Sequence, residues 1–275
     1  MTAILLGLVA AVLFGVSDYI DGLVSRRGSA WPVALLACIG ALAVAALATV
    51  LSPGRSTPAD LAWSALAGVG SGLGTVYLYR GLAAGRMGVV APVSAVGSAL
   101  IPVAFALVGG ERPSVAVWLG IAVGLPGIWL VSREPDRGGS AKGLIDGLLA
   151  GSGFGLMFAA LGQVPQGRGY LPLVVAEVVA MAVVLGAALV VGADPRPRRV
   201  TDWVGLVGGV LAGGAFISFM VATQVGLLTV AAVLSSLYPA ITVLLAAWLL
   251  REAIHRGQAV GLLFCVATVA LVAVG

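Results

Sequence analysis

Charged residues are scarce in this sequence. Its 275 residues include 15 Lys or Arg, 11 Asp or Glu and a single His. A soluble chain carries about a quarter of its residues as charged side chains, whereas 9% are charged here and 60% are hydrophobic. Such a chain cannot cover its surface with groups that water solvates. The composition therefore excludes a soluble enzyme, a nucleic-acid-binding protein and a disordered protein.

Reactive side chains are equally rare. The two cysteines, Cys38 and Cys265, lie inside apolar segments, which is typical of buried thiols and not of a disulfide or metal framework. The one histidine, His255, follows an apolar segment, and the chain has no His-Glu-x-x-His motif. The glycines at 68, 70, 72 and 74 follow no strand, so they do not predict a phosphate-binding loop. We therefore predict no cofactor, no metal site and no enzymatic activity.

Long apolar runs are what the sequence has in abundance. Most charge-free runs are close to the roughly 20 residues that a helix needs to cross a bilayer. All six tryptophans lie near the ends of these runs, at the headgroup level that indole rings prefer. We predict a multi-pass protein of the cell membrane with helices near 3–24, 31–51, 60–80, 87–109, 115–132, 143–162, 171–191, 202–223, 229–250 and 257–274.

The two halves of the chain repeat each other. At an offset of 140 or 141 residues, the matches of less common residue types are Phe14/Phe154, Pro32/Pro172, Trp63/Trp203 and Glu111/Glu252. Because five helices is an odd number, the second half enters the membrane with the opposite orientation. We predict an all-α integral membrane protein whose ten transmembrane helices form two inverted five-helix repeats, residues 1–138 and 139–275.

Several short motifs resemble those of a known family. Residues 14–17 read Phe-Gly-Val-Ser, 79–85 read Tyr-Arg-Gly-Leu-Ala-Ala-Gly, 90–92 read Val-Ala-Pro, 235–239 read Ser-Ser-Leu-Tyr-Pro and 250–252 read Leu-Arg-Glu. The chain thus resembles the drug/metabolite transporter superfamily in its EamA-type ten-helix branch. The resemblance implies a central cavity lined mainly by helices 1, 3, 4, 6, 8 and 9, with export of small metabolites as the usual role.

Asp18 is the first candidate for a functional residue. It lies about three-quarters of the way along the first predicted helix, where a carboxylate is costly unless it is paired or protonated. We interpret it as a proton-coupling group or as the counter-ion of an amine-bearing substrate. The alternatives are a helix cap, or an ion pair with Arg80 or Arg26 near one membrane interface.

Two further charged residues are candidates. Glu177 lies six residues into the seventh predicted helix and is a second proton-coupling candidate, although the resemblance implies that this helix lies outside the cavity. Pairing with a neighbouring helix is the alternative. The guanidinium group of Arg80 is suited to a substrate carboxylate or phosphate; its alternative is snorkelling to the headgroups.

Aromatic and neutral polar side chains complete the predicted substrate site. They are Phe14, Tyr19, Tyr77, Tyr79, Ser94, Gln163, Gln224, Ser235 and Tyr238. Helical spacing turns Tyr77 and Tyr79 to different sides, so at most one of them faces the cavity. For the polar residues, hydrogen bonding between helices is the alternative.

Basic residues are distributed unevenly between the loops. Loops after odd-numbered helices hold 12 of the 15 Lys and Arg, and only Arg55, Arg112 and Arg168 lie in the others. The positive-inside rule then places the odd loops in the cytoplasm and both termini outside, whereas the family resemblance implies termini inside.

The combined pattern favours a secondary active transporter. We predict export of a small metabolite, such as an amino acid or amine, by alternating access, with proton coupling through Asp18 or Glu177. One alternative is a channel-like facilitator, and another is an antiporter of phosphorylated sugars or nucleotide sugars, which needs clustered Lys and Arg. The partners we expect are a small-molecule substrate and the lipid bilayer, without nucleic acid. Because one chain carries both repeats, a monomer is expected to be sufficient.

Overall fold

The described residues form eleven helices. The computed structural model of the chain describes residues 1–25, 29–83, 87–133, 141–251 and 253–274, excluding the side chains of residues 79, 82, 83, 87, 88 and 141. The helices are α1 (Thr2–Ser25), α2 (Ala30–Leu51), α3 (Pro58–Ala83), α4 (Met87–Val108), α5 (Val115–Ser132), α6 (Ala141–Leu161), α7 (Leu171–Val190), α8 (Gly205–Val225), α9 (Leu228–Ser235), α10 (Tyr238–Leu249) and α11 (Arg256–Val274). Among these residues, ten segments are long and apolar enough to cross a membrane, with α9 and α10 sharing the ninth.

Local polar side chains fix several helix starts. The hydroxyls of Ser29 and Ser114 accept hydrogen bonds from backbone N–H groups in the first turns of α2 and α5. Asp202 accepts the N–H groups of Arg198 and Arg199, within a 3-10 turn (Val200–Val204) that leads into α8. These caps satisfy N–H groups that have no partner within a helix.

The ninth segment differs from the single helix predicted over 229–250. It breaks between α9 and α10, where the N–H of Ser236 reaches the carbonyl of Ala232 and that of Leu237 reaches Leu234. Pro239 has no N–H to donate to the carbonyl of Ser235, four residues earlier, so the helical hydrogen-bond ladder is interrupted there. Pro92 and Pro126, by contrast, lie within the continuous helices α4 and α5.

The two inverted five-helix repeats pack against each other through pairs of equivalent contacts. Helix α1 packs against α8, α9 and α10, while its counterpart α6 packs against α3 and α4. Likewise α2 packs against α8 and α7 against α3, and α5 pairs with α11 across the two halves. A two-fold axis in the membrane plane produces this set of contacts.

Equivalent glycines allow the closest of these approaches. A Cβ atom added at Gly15 of α1 would lie 2.5 Å from the Cβ of Ile241, and one added at Gly155 of α6 would lie 2.6 Å from the Cβ of Ile101. The two glycines are 140 positions apart, and so are the two isoleucines. Both positions therefore need a residue without a side chain for the helices to pack as closely as they do.

Contacts between loops define two ends of the bundle. At one end, the Nε of Arg168 lies 3.4 Å from Asp60, and the hydroxyl of Ser56 donates to the carbonyl of Arg168 at 2.8 Å. At the other end, Arg80 near the end of α3 forms an ion pair with Asp146 near the start of α6. We call this second end, which carries the loops after odd-numbered segments, the basic end, and the first the opposite end.

The opposite end is also held by Glu111, which lies after α4. Its carboxylate accepts the N–H of Leu228 at 2.7 Å, the N–H of Thr229 at 3.0 Å and the hydroxyl of Thr229 at 2.7 Å. Glu111 therefore caps the start of α9 and joins the first repeat to the second.

Candidate functional site

A cavity of about 150 Å³ lies between the two repeats. Side chains from α1, α2, α3, α4, α6, α7, α8 and α10 form its wall. All six segments that the family resemblance implies contribute to the wall, although the ninth does so only through α10. Helices α2 and α7 contribute as well. For comparison, a cavity of about 150 Å³ in another protein accommodates benzene. The cavity is thus of a size for a small solute.

Three acidic residues line this cavity: Asp18, Asp21 and Glu177. Asp18 and Asp21 lie three residues apart on α1 and so share one face of that helix. Asp18 is exposed, so its carboxylate is accessible from within the cavity. Glu177, on α7, is only 6% exposed. Since the family resemblance implied that the seventh helix lies outside the cavity, the position of Glu177 in its wall corrects that expectation.

None of the three carboxylates has a cationic partner among the described residues. The ion pairs formed there join Arg80 to Asp146, Arg168 to Asp60 and Arg198 to Asp194, all near helix ends or in loops. The part of the cavity wall that the structure describes likewise contains no Lys, Arg or His. A carboxylate in the membrane interior without a counter-ion is costly unless it binds a proton or a cation.

Aromatic rings form one side of the cavity. The ring of Phe14 meets those of Phe216, Phe158 and Tyr238 edge to face, with centroids 5.1, 5.8 and 6.4 Å apart. Phe154 lines the same space. The π faces of such rings attract cations, an effect that strengthens when water is excluded. The wall thus combines apolar surface with groups that favour positive charge.

Asp21 is held against α8 by a close backbone approach. A Cβ added at Gly208 would lie 2.1 Å from the Oδ1 of Asp21, and the hydroxyl of Ser17 donates to the carbonyl of Gly208 at 2.9 Å. The Oδ1 atom is buried and has no hydrogen-bond partner in the described part of the chain. Gly208 therefore provides the space in which this carboxylate sits.

Side-chain exposure differs along the cavity. Met157 and Phe158, at its inner end, are 4% and 3% exposed and belong to a hydrophobic cluster that includes Phe219 and Leu228. Asp18, by contrast, is exposed and lies nearer the basic end. Among the described residues of the wall, an exposed carboxylate therefore lies toward the basic end and buried hydrophobic residues lie toward the opposite end.

Of the predicted site residues, Phe14, Asp18, Glu177 and Tyr238 line the cavity. Arg80 does not: it pairs with Asp146 and stacks over the ring of Tyr77 with its guanidinium carbon 4.6 Å from the centroid. Tyr19 is also outside the wall. The side chain of Tyr79 lies outside the described part of the structure.

The neutral polar candidates form hydrogen bonds with backbone carbonyls instead of lining the cavity. The hydroxyl of Ser94 donates to the carbonyl of Ala91 within α4, and the amide of Gln163, in the turn after α6, donates to the carbonyl of Ala159. Two others connect segments: Gln224 donates to the carbonyl of Val164 at 3.3 Å, and Ser235 donates to that of Gly7 at 3.4 Å.

Sequence reasoning left Asp21, Asp146, Phe158 and Phe216 out of the predicted site. For Asp21 a signal exists, because its spacing of three from Asp18 places both on one helix face. The spacing of four between Phe154 and Phe158 is a similar signal. The sequence carries no such signal for Asp146, because only the tertiary structure brings this residue to Arg80.

No group of three or more His, Cys, Asp or Glu suited to a metal ion occurs among the residues that the structure describes. Asp21 and Glu177 both lie near Cys38, yet these groups do not converge on one point.

Comparisons with known proteins agree with this architecture. No curated protein matches the sequence. Sixteen chains of solved structures match. One of them, a crystal structure of a protein, has a TM-score of 0.77 and 18% sequence identity over 98% of this chain and 95% of that one. The sequence model of the EamA-like transporter family matches this chain twice, over residues 1–133 and 141–274. The chain therefore belongs to the EamA-like transporter family and is a multi-pass transporter of the cell membrane.

Proposed function

We propose that this protein is a secondary active exporter of a small amine-bearing metabolite, coupled to protons. The observation that carries the proposal is a set of three carboxylates in an aromatic-walled cavity, none of which has a cationic partner among the described residues. Asp18, exposed within the cavity, is the first contact of the substrate ammonium. A proton and an ammonium compete for the same carboxylate, and this competition couples their opposite movements across the membrane.

The chemistry of the wall distinguishes between the substrate classes that the sequence left open. A phosphorylated sugar or nucleotide sugar needs cationic groups, and the described wall has no Lys or Arg. A nucleotide sugar is also too large for about 150 Å³, a volume that in another protein holds benzene. An amino acid would leave its carboxylate beside Asp18 without a counter-charge. An amine satisfies both the charge and the volume.

The direction of transport that we propose rests on the position of Asp18 in the cavity wall. Its exposed side chain lies toward the basic end, which the positive-inside rule assigns to the cytoplasm. A cavity open to the cytoplasm loads substrate there, and exchange of conformations between the inverted repeats releases it outside. Since one chain contains both repeats, we propose that the monomer is the working unit. An alkaline phosphatase fused to the C-terminus, active only outside the cytoplasm, tests the orientation: enzymatic activity supports it and inactivity contradicts it.

Transport in proteoliposomes tests the proposal. A pH gradient should drive accumulation of radiolabelled amine, and unlabelled amine on the opposite side should accelerate exchange. Asp18→Asn should abolish the response to the pH gradient because the asparagine side chain cannot take up a proton. The matched control is Asp194→Asn, which removes a carboxylate from a loop outside the cavity.

The channel-like alternative gives a different result in the same assay. Flux through a channel rises with concentration without saturation and shows no exchange acceleration. Full pH-driven transport by Asp18→Asn would overturn the role given to Asp18, and non-saturating flux would overturn the transporter mechanism.

A further inference from the structure

The acidic residues of the cavity lie at two depths. Asp18 is seven residues from the basic end of α1, and Glu177 is 13 residues from the basic end of α7. At 1.5 Å per residue these positions are about 10 Å and about 20 Å deep. Asp21, four residues from the end of α1, is shallower still, at about 6 Å. The cavity therefore has an acidic pair nearer the basic end and one carboxylate deeper in the bundle.

Glu177 is the residue that marks the inner position as a binding site. It is 6% exposed, lines the cavity and forms no hydrogen bond or ion pair within the described residues. A structural carboxylate at such depth is ordinarily paired. An unpaired one that faces a cavity is suited to a cation supplied by the ligand.

We propose that the cavity binds a substrate with two cationic groups joined by a short apolar chain, one held by Asp18 and Asp21 and the other by Glu177. The inference rests on the proposed function and narrows its substrate class from amines to diamines. Each ammonium nitrogen lies about 2.8 Å from its carboxylate. The backbone positions of the two acidic sites differ in depth by about 10–14 Å. The acidic side chains and one hydrogen bond of about 2.8 Å at each end occupy part of this length, so the remaining span suits a short aliphatic diamine.

The wall between the two acidic positions fits the apolar part of such a molecule. It is formed by Phe14 and Phe154 together with Ala37 and Ala41 of α2. Methylene groups gain about 0.8 kcal/mol each when they leave water for such surroundings. A sugar or an amino acid would leave its hydroxyl or carboxylate groups unpaired against this wall.

The test compares diamines with monoamines that have the same carbon chain. Binding of putrescine and butylamine, and of cadaverine and pentylamine, is measured by isothermal titration calorimetry on the full-length protein in detergent. The variants are Glu177→Gln, Asp18→Asn and the control Asp194→Asn. All are compared at one pH and one ionic strength.

We expect the wild-type protein to bind putrescine at least about tenfold more tightly than butylamine, a difference of about 1.4 kcal/mol. Glu177→Gln should remove this preference by lowering the affinity for putrescine to about that for butylamine, and Asp18→Asn should weaken the binding of both amines. Glu177→Asp should move the preference toward cadaverine, because the shorter side chain lengthens the span. This variant keeps the inference testable if Glu177→Gln does not fold.

The outcomes separate this inference from the proposed function. Equal binding of diamine and monoamine, or a preference that persists in both Glu177 variants, overturns the dicationic substrate while leaving an amine exporter in place. If none of these amines binds and a neutral or anionic solute is transported, both proposals fail.

Discussion

The contact between Glu111 and the start of α9 gives the most direct test of how the two repeats are held together. Its carboxylate accepts three hydrogen bonds from Leu228 and Thr229, at 2.7–3.0 Å, from a position on the other repeat. The perturbation is Glu111→Ala, which removes the acceptor and leaves two N–H groups at a helix start without their partner.

The expected loss of stability follows from the type of hydrogen bond that the substitution removes. A hydrogen bond to a charged group contributes about 1.5–3 kcal/mol, loss of a helix cap costs about 0.5–2 kcal/mol and a carboxylate at a helix N-terminus adds about 0.3–1 kcal/mol. These contributions overlap, and Glu111 is half-buried. We therefore expect Glu111→Ala to lower the free energy of unfolding by about 2–4 kcal/mol. Thr229→Val, which removes only the hydroxyl bond, should cost about 1 kcal/mol.

The assay is reversible unfolding in mixed micelles with increasing dodecyl sulfate, followed by tryptophan fluorescence. A double-mutant cycle of Glu111→Ala with Thr229→Val should show coupling, since the two side chains share one hydrogen bond. Arg112→Ala is the control, because this exposed neighbour contacts only the backbone carbonyl of Glu111. If Glu111→Ala unfolds within about 0.5 kcal/mol of the wild type, as ordinary surface variants do, the reasoning about this cap is refuted.

Three further predictions concern packing, an ion pair and the cavity. Gly155→Ala should destabilise the protein by about 1–3 kcal/mol in the same unfolding assay, because the added Cβ would meet Ile101. Gly186→Ala is the control, since no atom lies within 4 Å of its added Cβ. Equal effects of the two variants would contradict the close approach at Gly155. Arg80→Ala should lower the free energy of unfolding by about 1–2 kcal/mol. This is less than the loss of a fully buried ion pair, because the Arg80 side chain is 53% exposed. Arg80→Lys should recover part of this stability, and an unchanged unfolding midpoint for Arg80→Ala would contradict a stabilising role of the pair. Gly208→Ala should weaken amine binding in calorimetry with little loss of stability, since its Cβ displaces the flexible carboxylate of Asp21. Gly214→Ala on the same helix, with its nearest contact at 3.4 Å, is the control, and identical binding by both variants would argue against a role for Asp21.

The sequence alone determined the membrane architecture. Spacing between charges is sufficient to locate helices, because a charged side chain in the bilayer core is costly and a span needs about 20 apolar residues. The repeat, and with it the inverted arrangement of two five-helix units, followed from paired residues such as Trp63 and Trp203. Asp18 could be selected from sequence for the same reason: a carboxylate within an apolar segment has a cost that is most simply explained by function.

Only the tertiary structure decided which side chains share the cavity. Glu177 and Asp18 are 159 positions apart on different helices, and no local pattern indicates that their helices face one space. Arg80 belongs to a motif that resembles the family pattern, yet the packing of α3 against α6 directs Arg80 to Asp146. Serines and glutamines in apolar helices can bond either a ligand or a neighbouring carbonyl, and the choice depends on which carbonyl lies within reach. Helix periodicity predicts on which face of its helix a side chain lies. Which helix contacts that face is determined by how the two repeats pack.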